Sequence, residues 1–297
     1  MIWLPTRVGI SGQTKPVTVT CTLERDLLYS CSMDGEIKVW SVASPGPATC
    51  LRTALQTGPS GEGADMAAMG GLSASLAGEV VTVRKIVFWR DKLYAGDEMG
   101  GLCRWSSDLS TCELKKEYYT EIWSLALTDQ GETVITARDN DLVAADLSPS
   151  TTVMVSYTLP GRAPVLLNSQ EDIMVCPDRG GMNLIVRRRE GRKYVESQVL
   201  ARHDMIVNSL VMRGDLLVSA GWDCRVIIWV SLSLSLSLSL SLSLSLTAQC
   251  FQRRQEGDQF QHVDDVKLES YVNTMCPGPG QSFFIGGKKG YLVKIDI

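Results

Sequence analysis

His203, Ser219 and Asp223 fall within one short stretch of the chain, and together they are the residue types of an acyl-transfer site. A serine can attack a carbonyl, an imidazole can take its proton, and a carboxylate can orient the imidazole. Such a serine needs a sharp elbow of the G-x-S-x-G kind and an oxyanion-binding loop, and neither is present. Ser219 sits instead inside "LLVSAGWDCRVIIWV", an apolar run broken only by a tight turn. The one other histidine, His262, lies in the polar tract "QFQHVDD" and reads as solvated. Two histidines exclude a His-rich metal centre. The carboxylate pairs Asp264–Asp265 and Asp139/Asp141 lie in polar or turn segments and read as turn caps rather than as acid and base. No glycine-rich turn is followed by the Lys-Ser/Thr of a phosphate loop. The chain is therefore expected to be no enzyme, with no catalytic residues, no cofactor, no metal and no small-molecule substrate.

The chain's 297 residues can bury a sizeable core, and a net charge of −4 offers no electrostatic footprint for nucleic acid or an anionic membrane. Its nine cysteines are scattered singly without a CxxC pair, which fits reduced thiols. The first residues, "MIWLPTRVGI", lack the apolar core of a secretory signal. The expected compartment is cytoplasmic or nuclear, not secreted, with no membrane association.

What positions the polar residues is a repeat. "LLYSCSMDGEIKVWSV" and "LLVSAGWDCRVIIWV" match position by position: Ser30, Asp34 and Trp40 have the spacing of Ser219, Asp223 and Trp229. Weaker copies keep the grammar of apolar run, polar turn and second apolar run. "KLYAGDEMGGLCRWSS" keeps Trp105 but has Met99 at the Asp position. "TVITARDNDLVAADLS" keeps Asp139 but has Ala145 at the Trp position. "DIMVCPDRGGMNLIVRRRE" keeps only the apolar runs, and "FFIGGKKGYLVKIDI" places Ile295 last. Ala145 follows Trp105 by 40 residues, and positions 187 and 229 follow at 42 each; the two outer intervals are 65 and 66. Each unit also has an apolar run before the pair and a more polar run after it. A strand–turn–strand period near 40 with Gly/Asp turns is the signature of propeller blades.

These motifs resemble WD40 repeats, specifically in the first and fifth units and by spacing in the other four. The resemblance implies an all-β fold: residues 1–297 as a single β-propeller of six blades, with seven as the rival count. A seventh would need a degenerate blade within 43–82 or 231–270. The last unit ends on its third strand, so residues 2–8 are expected to supply the fourth and close the ring, removing two open sheet edges. Residues 56–80, rich in Gly, Ala and Ser, read as a flexible insertion. The eight Ser-Leu pairs of 231–246 read as a low-complexity insertion, too long for a blade edge at strand rise. A CT dinucleotide repeat encodes Ser-Leu, and a retained intron read in frame would account for residues 230–249. Their removal would shorten the interval to 46 residues and join Trp229 to "CFQRRQ" as an outer strand.

The resemblance also assigns roles. In blade five, Trp229, Ser219, His203 and Asp223 are expected to form a hydrogen-bonded structural relay; in blade one, Trp40, Ser30 and Asp34 form an incomplete one without a histidine. Loops joining second and third strands lie on one face in this family. Candidate partner-binding residues there are Trp222, Arg138, Met33, Met99, Lys288 and Lys289. The run "RRREGRK" falls at a third-to-fourth strand turn on the opposite face and reads as solvated. The expected function is a non-catalytic scaffold binding other proteins. A propeller hydrolase or lyase and a nucleic-acid adaptor are the alternatives, the first disfavoured by the scarcity of histidine and the second by net charge.

Overall fold

A computed structural model describes residues 19–24, 27–31, 35–41, 49–57, 80–118, 121–128, 133–138, 140–147, 154–231, 259–277, 282–287 and 292–296. The expected closing segment 2–8, the turn residues Met33, Asp34, Lys288 and Lys289, and the insertion interiors 58–79 and 232–258 lie outside these residues.

All described regular structure is β-strand. Blade one holds β1 (Val19–Glu24), β2 (Leu27–Cys31), β3 (Glu36–Ser41) and β4 (Thr49–Leu55); blade two holds β5 (Val83–Trp89), β6 (Lys92–Asp97), β7 (Gly101–Ser106) and β8 (Cys112–Glu117). Blade three comprises β9 (Ser124–Thr128), β10 (Thr133–Arg138), β11 (Asp141–Asp146) and β12 (Met154–Pro160). Blade four comprises β13 (Leu166–Leu167), β14 (Ile173–Pro177), β15 (Asn183–Glu190) and β16 (Lys193–Ala201). Blade five is built from β17 (Val207–Arg213), β18 (Leu216–Gly221), β19 (Arg225–Ser231) and β20 (Phe260–Lys267), and blade six from β21 (Val272–Pro277), β22 (Ser282–Gly287) and β23 (Leu292–Asp296). Within each sheet the strands pair antiparallel in chain order. Each inner strand lies against the next, from β1 to β5 and onward around to β21, which returns to β1. Six sheets thus form a ring.

The burial pattern follows from stacking. β9 and β14 are buried along their whole length, because both faces meet neighbouring blades. The outer strand β16 buries only Tyr194 and Leu200. The core lies between blades; one cluster joins Val175, Leu184 and Val186 of blade four to Val207, Leu217 and Trp229 of blade five.

A bulge recurs where the sequence shows only a position. In blades one to five the third strand shifts register directly before Trp40, Trp105, Ala145, Arg187 and Trp229. The extra residue lies on the fourth strand each time, at Leu51, Glu113, Ser156, Ser197 and Val263, and bends that strand where it faces the site, so in these five blades one third-strand position is set aside irrespective of the residue filling it.

Second-to-third turns and blade-to-blade connectors share one rim, here called the connector face. Backbone hydrogen bonds stitch them together: Gln56 N–H to Gly35 C=O at 3.0 Å, Arg162 N–H to Pro177 C=O at 3.1 Å and Trp222 N–H to Ile206 C=O at 2.9 Å.

Several expectations are corrected. The insertion after blade one does not begin at residue 56: Gln56 is buried, and Thr57 bridges Val80, because the chain must re-enter the ring there. Ser231 belongs to β19 rather than to an insertion, and the outer strand of blade five is β20, not the stretch from Cys250. Asp264 and Asp265 consequently sit in a strand, not in a turn. The regions where a seventh blade would start supply β4 and β20 instead. Arg187 is not part of a solvated turn; it is 2% exposed within β15.

Candidate functional site

In blade five the structure brings Trp229, Ser219, His203 and Asp223 into one chain of hydrogen bonds. Trp229 Nε1–H donates to Ser219 Oγ at 3.0 Å, Ser219 Oγ lies 2.8 Å from His203 Nε2, and His203 Nδ1 lies 2.7 Å from Asp223 Oδ2. Each group fits one role. The carboxylate can only accept, so the neutral imidazole carries its hydrogen on Nδ1; Nε2 is then an acceptor, and Ser219 Oγ–H donates to it while accepting from the indole. That tautomer is a neutral imidazole, and burial lowers the His203 pKa, with the Asp223 charge opposing. Asp223 also caps its own turn, accepting from the N–H groups of Arg225 and Asp204 at 3.1 Å each. Ser219 is fully buried between indole and imidazole, so its hydroxyl faces no space for a substrate. The arrangement is a clamp on the turn.

Blade one has the first link: Trp40 Nε1–H donates to Ser30 Oγ at 2.8 Å. Blade two keeps Trp105 but has Ala95 at the serine position, and Trp105 Nε1 is buried without a hydrogen-bond partner. Blade four replaces both members. Arg187 fills the bulge site and donates to Cys176 Sγ at 2.9 Å and to the Pro160 carbonyl. Burial pushes the Cys176 thiol up, and the nearby Arg187 opposes, so the sulfur accepts as a neutral thiol.

Blade two clamps its turn with residues that sequence reasoning missed. Asp97 is 0% exposed and accepts from Gln56 Nε2 at 2.7 Å, Met99 N–H at 2.9 Å and Gly101 N–H at 2.7 Å. Its carboxylate does the work of Asp223 from a position two residues earlier in the register, and Gln56 stands in for the histidine. Blade four repeats the early position with Asp178, which accepts from Gly181 N–H at 2.6 Å. Similarly, His262 is not simply solvated: it sits edge-on to Trp229 and bonds Asp265 at 2.8 Å, and Asp265 pairs with Arg225 at 2.8 Å. Among the described residues no cluster of three or more His, Cys, Asp or Glu is arranged to hold a metal.

The tips of the clamped turns carry the remaining candidates. Trp222 is 41% exposed and Met99 58%, both on the connector face. Arg138 ends β10 opposite Asp141. Trp123, not singled out from the sequence, is 46% exposed at the head of β9. The signal for it is register: Arg84, Asn208 and Asn273 are the bulged residues after the first pair of their inner strands, and Trp123, directly before the first paired residue Ser124, holds the matching place. All four line the central cavity, about 1320 Å³ in volume, with Trp222 at its edge. Arg84 is held by Glu98 at 3.4 Å and Glu121 at 3.1 Å and stacks over the Trp123 ring.

A ring of antiparallel sheets around a central cavity defines the β-propeller class. The WD40 family model, described as WD domain, G-beta repeat, matches residues 5–41 and 195–230, the latter running from β16 through β19. These two segments are WD40 repeats. Its fold is similar to that of a chain in the crystal structure of a mitotic checkpoint complex, with 12% identity, TM-score 0.61, and coverage of 92% of this chain and 71% of that one. It is also similar to the computationally designed Ika8 protein, with 15% identity, TM-score 0.56, and coverage of 96% and 72% respectively. No curated protein matches the chain in sequence.

Proposed function

We propose that the protein is a non-catalytic scaffold that assembles with other proteins through its connector face. One observation carries this reading. The exposed large apolar side chains divide between the outer strands and the connector face, where Met99, Trp123, Met182, Met205, Trp222 and Tyr271 are gathered. Among the described residues, none lies in the turns of the opposite face. Clustered exposed aromatics and methionines are what a protein-binding surface requires. The similar chain in a mitotic checkpoint complex gives this reading a parallel in a multiprotein assembly. Cys31, Cys103 and Cys176 form no disulfide, which fits a reducing compartment, cytoplasmic or nuclear.

Methionine oxidation footprinting in cell extract tests the proposal. Assembly should protect Met99, Met182 and Met205, while Met154, on the outer strand β12, stays reactive. Equal oxidation of all four in extract and in isolated protein would remove the connector face as the docking surface.

A further inference from the structure

Resting on that reading of the connector face, we infer that its central mouth takes an acidic side chain of a partner peptide, between the cations Lys85 and Arg162 and beside Trp123 and Trp222. The cavity wall carries three cations, Arg84, Lys85 and Arg162, against one carboxylate, Glu171. Glu171 is already engaged, accepting from Thr128 Oγ1 at 3.2 Å and facing Arg189 at 3.7 Å. Arg84 is neutralised by Glu98 and Glu121. Lys85 and Arg162 have no side-chain hydrogen bond or ion pair among the described residues. A chain of net charge −4 thus presents two positive groups in its central opening that no described residue compensates.

Each cation is placed by the backbone. Lys85 follows the bulge at the head of β5, opposite Gly96. Arg162 sits in the connector leading to β13; its guanidinium packs so close to Gly181 that a Cβ there would lie 3.2 Å from Nη1. Burial lowers the Lys85 pKa to about 8, and the one titratable group acting on it is the Cys31 thiol of β2. A desolvated ammonium without a carboxylate is a cost to the folded state that a bound anion would offset.

The surroundings select the anion. Glu98 and Glu121 flank the mouth beside Arg84 and would repel a polyphosphate backbone. Trp123 and Trp222 offer flat apolar surface to the residues on either side of a single carboxylate. The fit is to a peptide with an isolated Asp or Glu next to aromatic or aliphatic side chains.

The test is selection of phage-displayed random peptides on the full chain, with binding of the enriched peptides measured by fluorescence anisotropy. Enrichment of Asp or Glu beside Trp, Phe or Leu is expected. Binding should fall about tenfold or more in Lys85→Met and in Arg162→Met, recover in Lys85→Arg, and weaken with salt. Lys85→Met removes a desolvated charge, so its melting temperature should rise by about 3 °C, which separates lost recognition from lost folding. Enriched peptides without acidic residues, peptides that bind the variants as well as the native chain, or no enrichment would overturn the inference. So would a single-stranded oligonucleotide whose binding is lost in the same variants, since that assigns the cations to nucleic acid. Methionine protection in extract without any effect of Lys85 or Arg162 would leave the docking face standing and remove only its acidic specificity.

Discussion

Blades two and five solve the same mechanical problem with different residues. In blade five the turn between second and third strands is held by Asp223, oriented by His203 and linked through Ser219 to Trp229. In blade two Asp97 holds the turn from inside, Gln56 replaces the histidine, and Ala95 leaves the Trp105 N–H unsatisfied. Both turns end in an exposed apolar tip, Trp222 in one and Met99 in the other. The difference separates what the fold needs from what the residues spell. Both blades place a buried carboxylate on the turn and a tryptophan at the bulge site; the relay is one way to meet both.

Breaking the filled site should have the largest effect. Arg187→Ala in blade four empties a buried position and orphans the Pro160 carbonyl and Cys176, and should cost about 3 kcal/mol in urea unfolding. Ser219→Ala leaves the Trp229 donor and His203 Nε2 unpaired in the interior, and should cost about 2 kcal/mol by the same measurement. The native chain should also lose stability as pH falls below about 6.5, the ordinary histidine value. The folded-state pKa of His203 is lowered by burial, so the unfolded chain binds the proton more readily and acid favours unfolding. His203→Gln should flatten that dependence in urea midpoints measured between pH 5 and 7.5, while lowering them throughout.

Two substitutions should sharpen the comparison by adding stability. Ala95→Ser places a hydroxyl at the same register from Trp105 that Ser219 holds from Trp229, and should raise stability by about 1 kcal/mol. Cys224 adopts a φ of 59° at the place where blade one has Gly35 at 73°. Cys224→Gly should therefore gain about 0.5 kcal/mol, measured as a small rise in melting temperature.

Much of this was legible in the chain, and the exceptions share a cause. Trp40 with Ser30, and Trp229 with Ser219 and Asp223, keep fixed spacings because strand and turn lengths are fixed. Strand assignment likewise follows the apolar runs, as at β5, β17 and β21. Gln56 and Asp97 pair across an insertion, so no spacing marks them. Arg187 sits in a run of charges, and only the bulge in the neighbouring strand β16, opposite the step from Val186 to Arg187, marks it as the blade's inward site. His262 and Asp265 belong to β20, whose place in blade five was hidden behind the Ser-Leu tract. Trp123 becomes visible only when inner strands are aligned by their pairing, not by their apolar content.

In blade five the clamp that supports the fold and the turn tip proposed to recognise partners lie within four residues, Ser219 to Trp222. The direct measurement is affinity capture with mass spectrometry on Ser219→Ala and Trp222→Ala, with melting temperatures recorded for both. Ser219→Ala should melt several degrees lower yet retain its partners at temperatures where it is folded, and Trp222→Ala should melt like the native chain and lose them. A Trp222→Ala protein that recovers the native set of partners in undiminished amounts would contradict the assignment of the connector face.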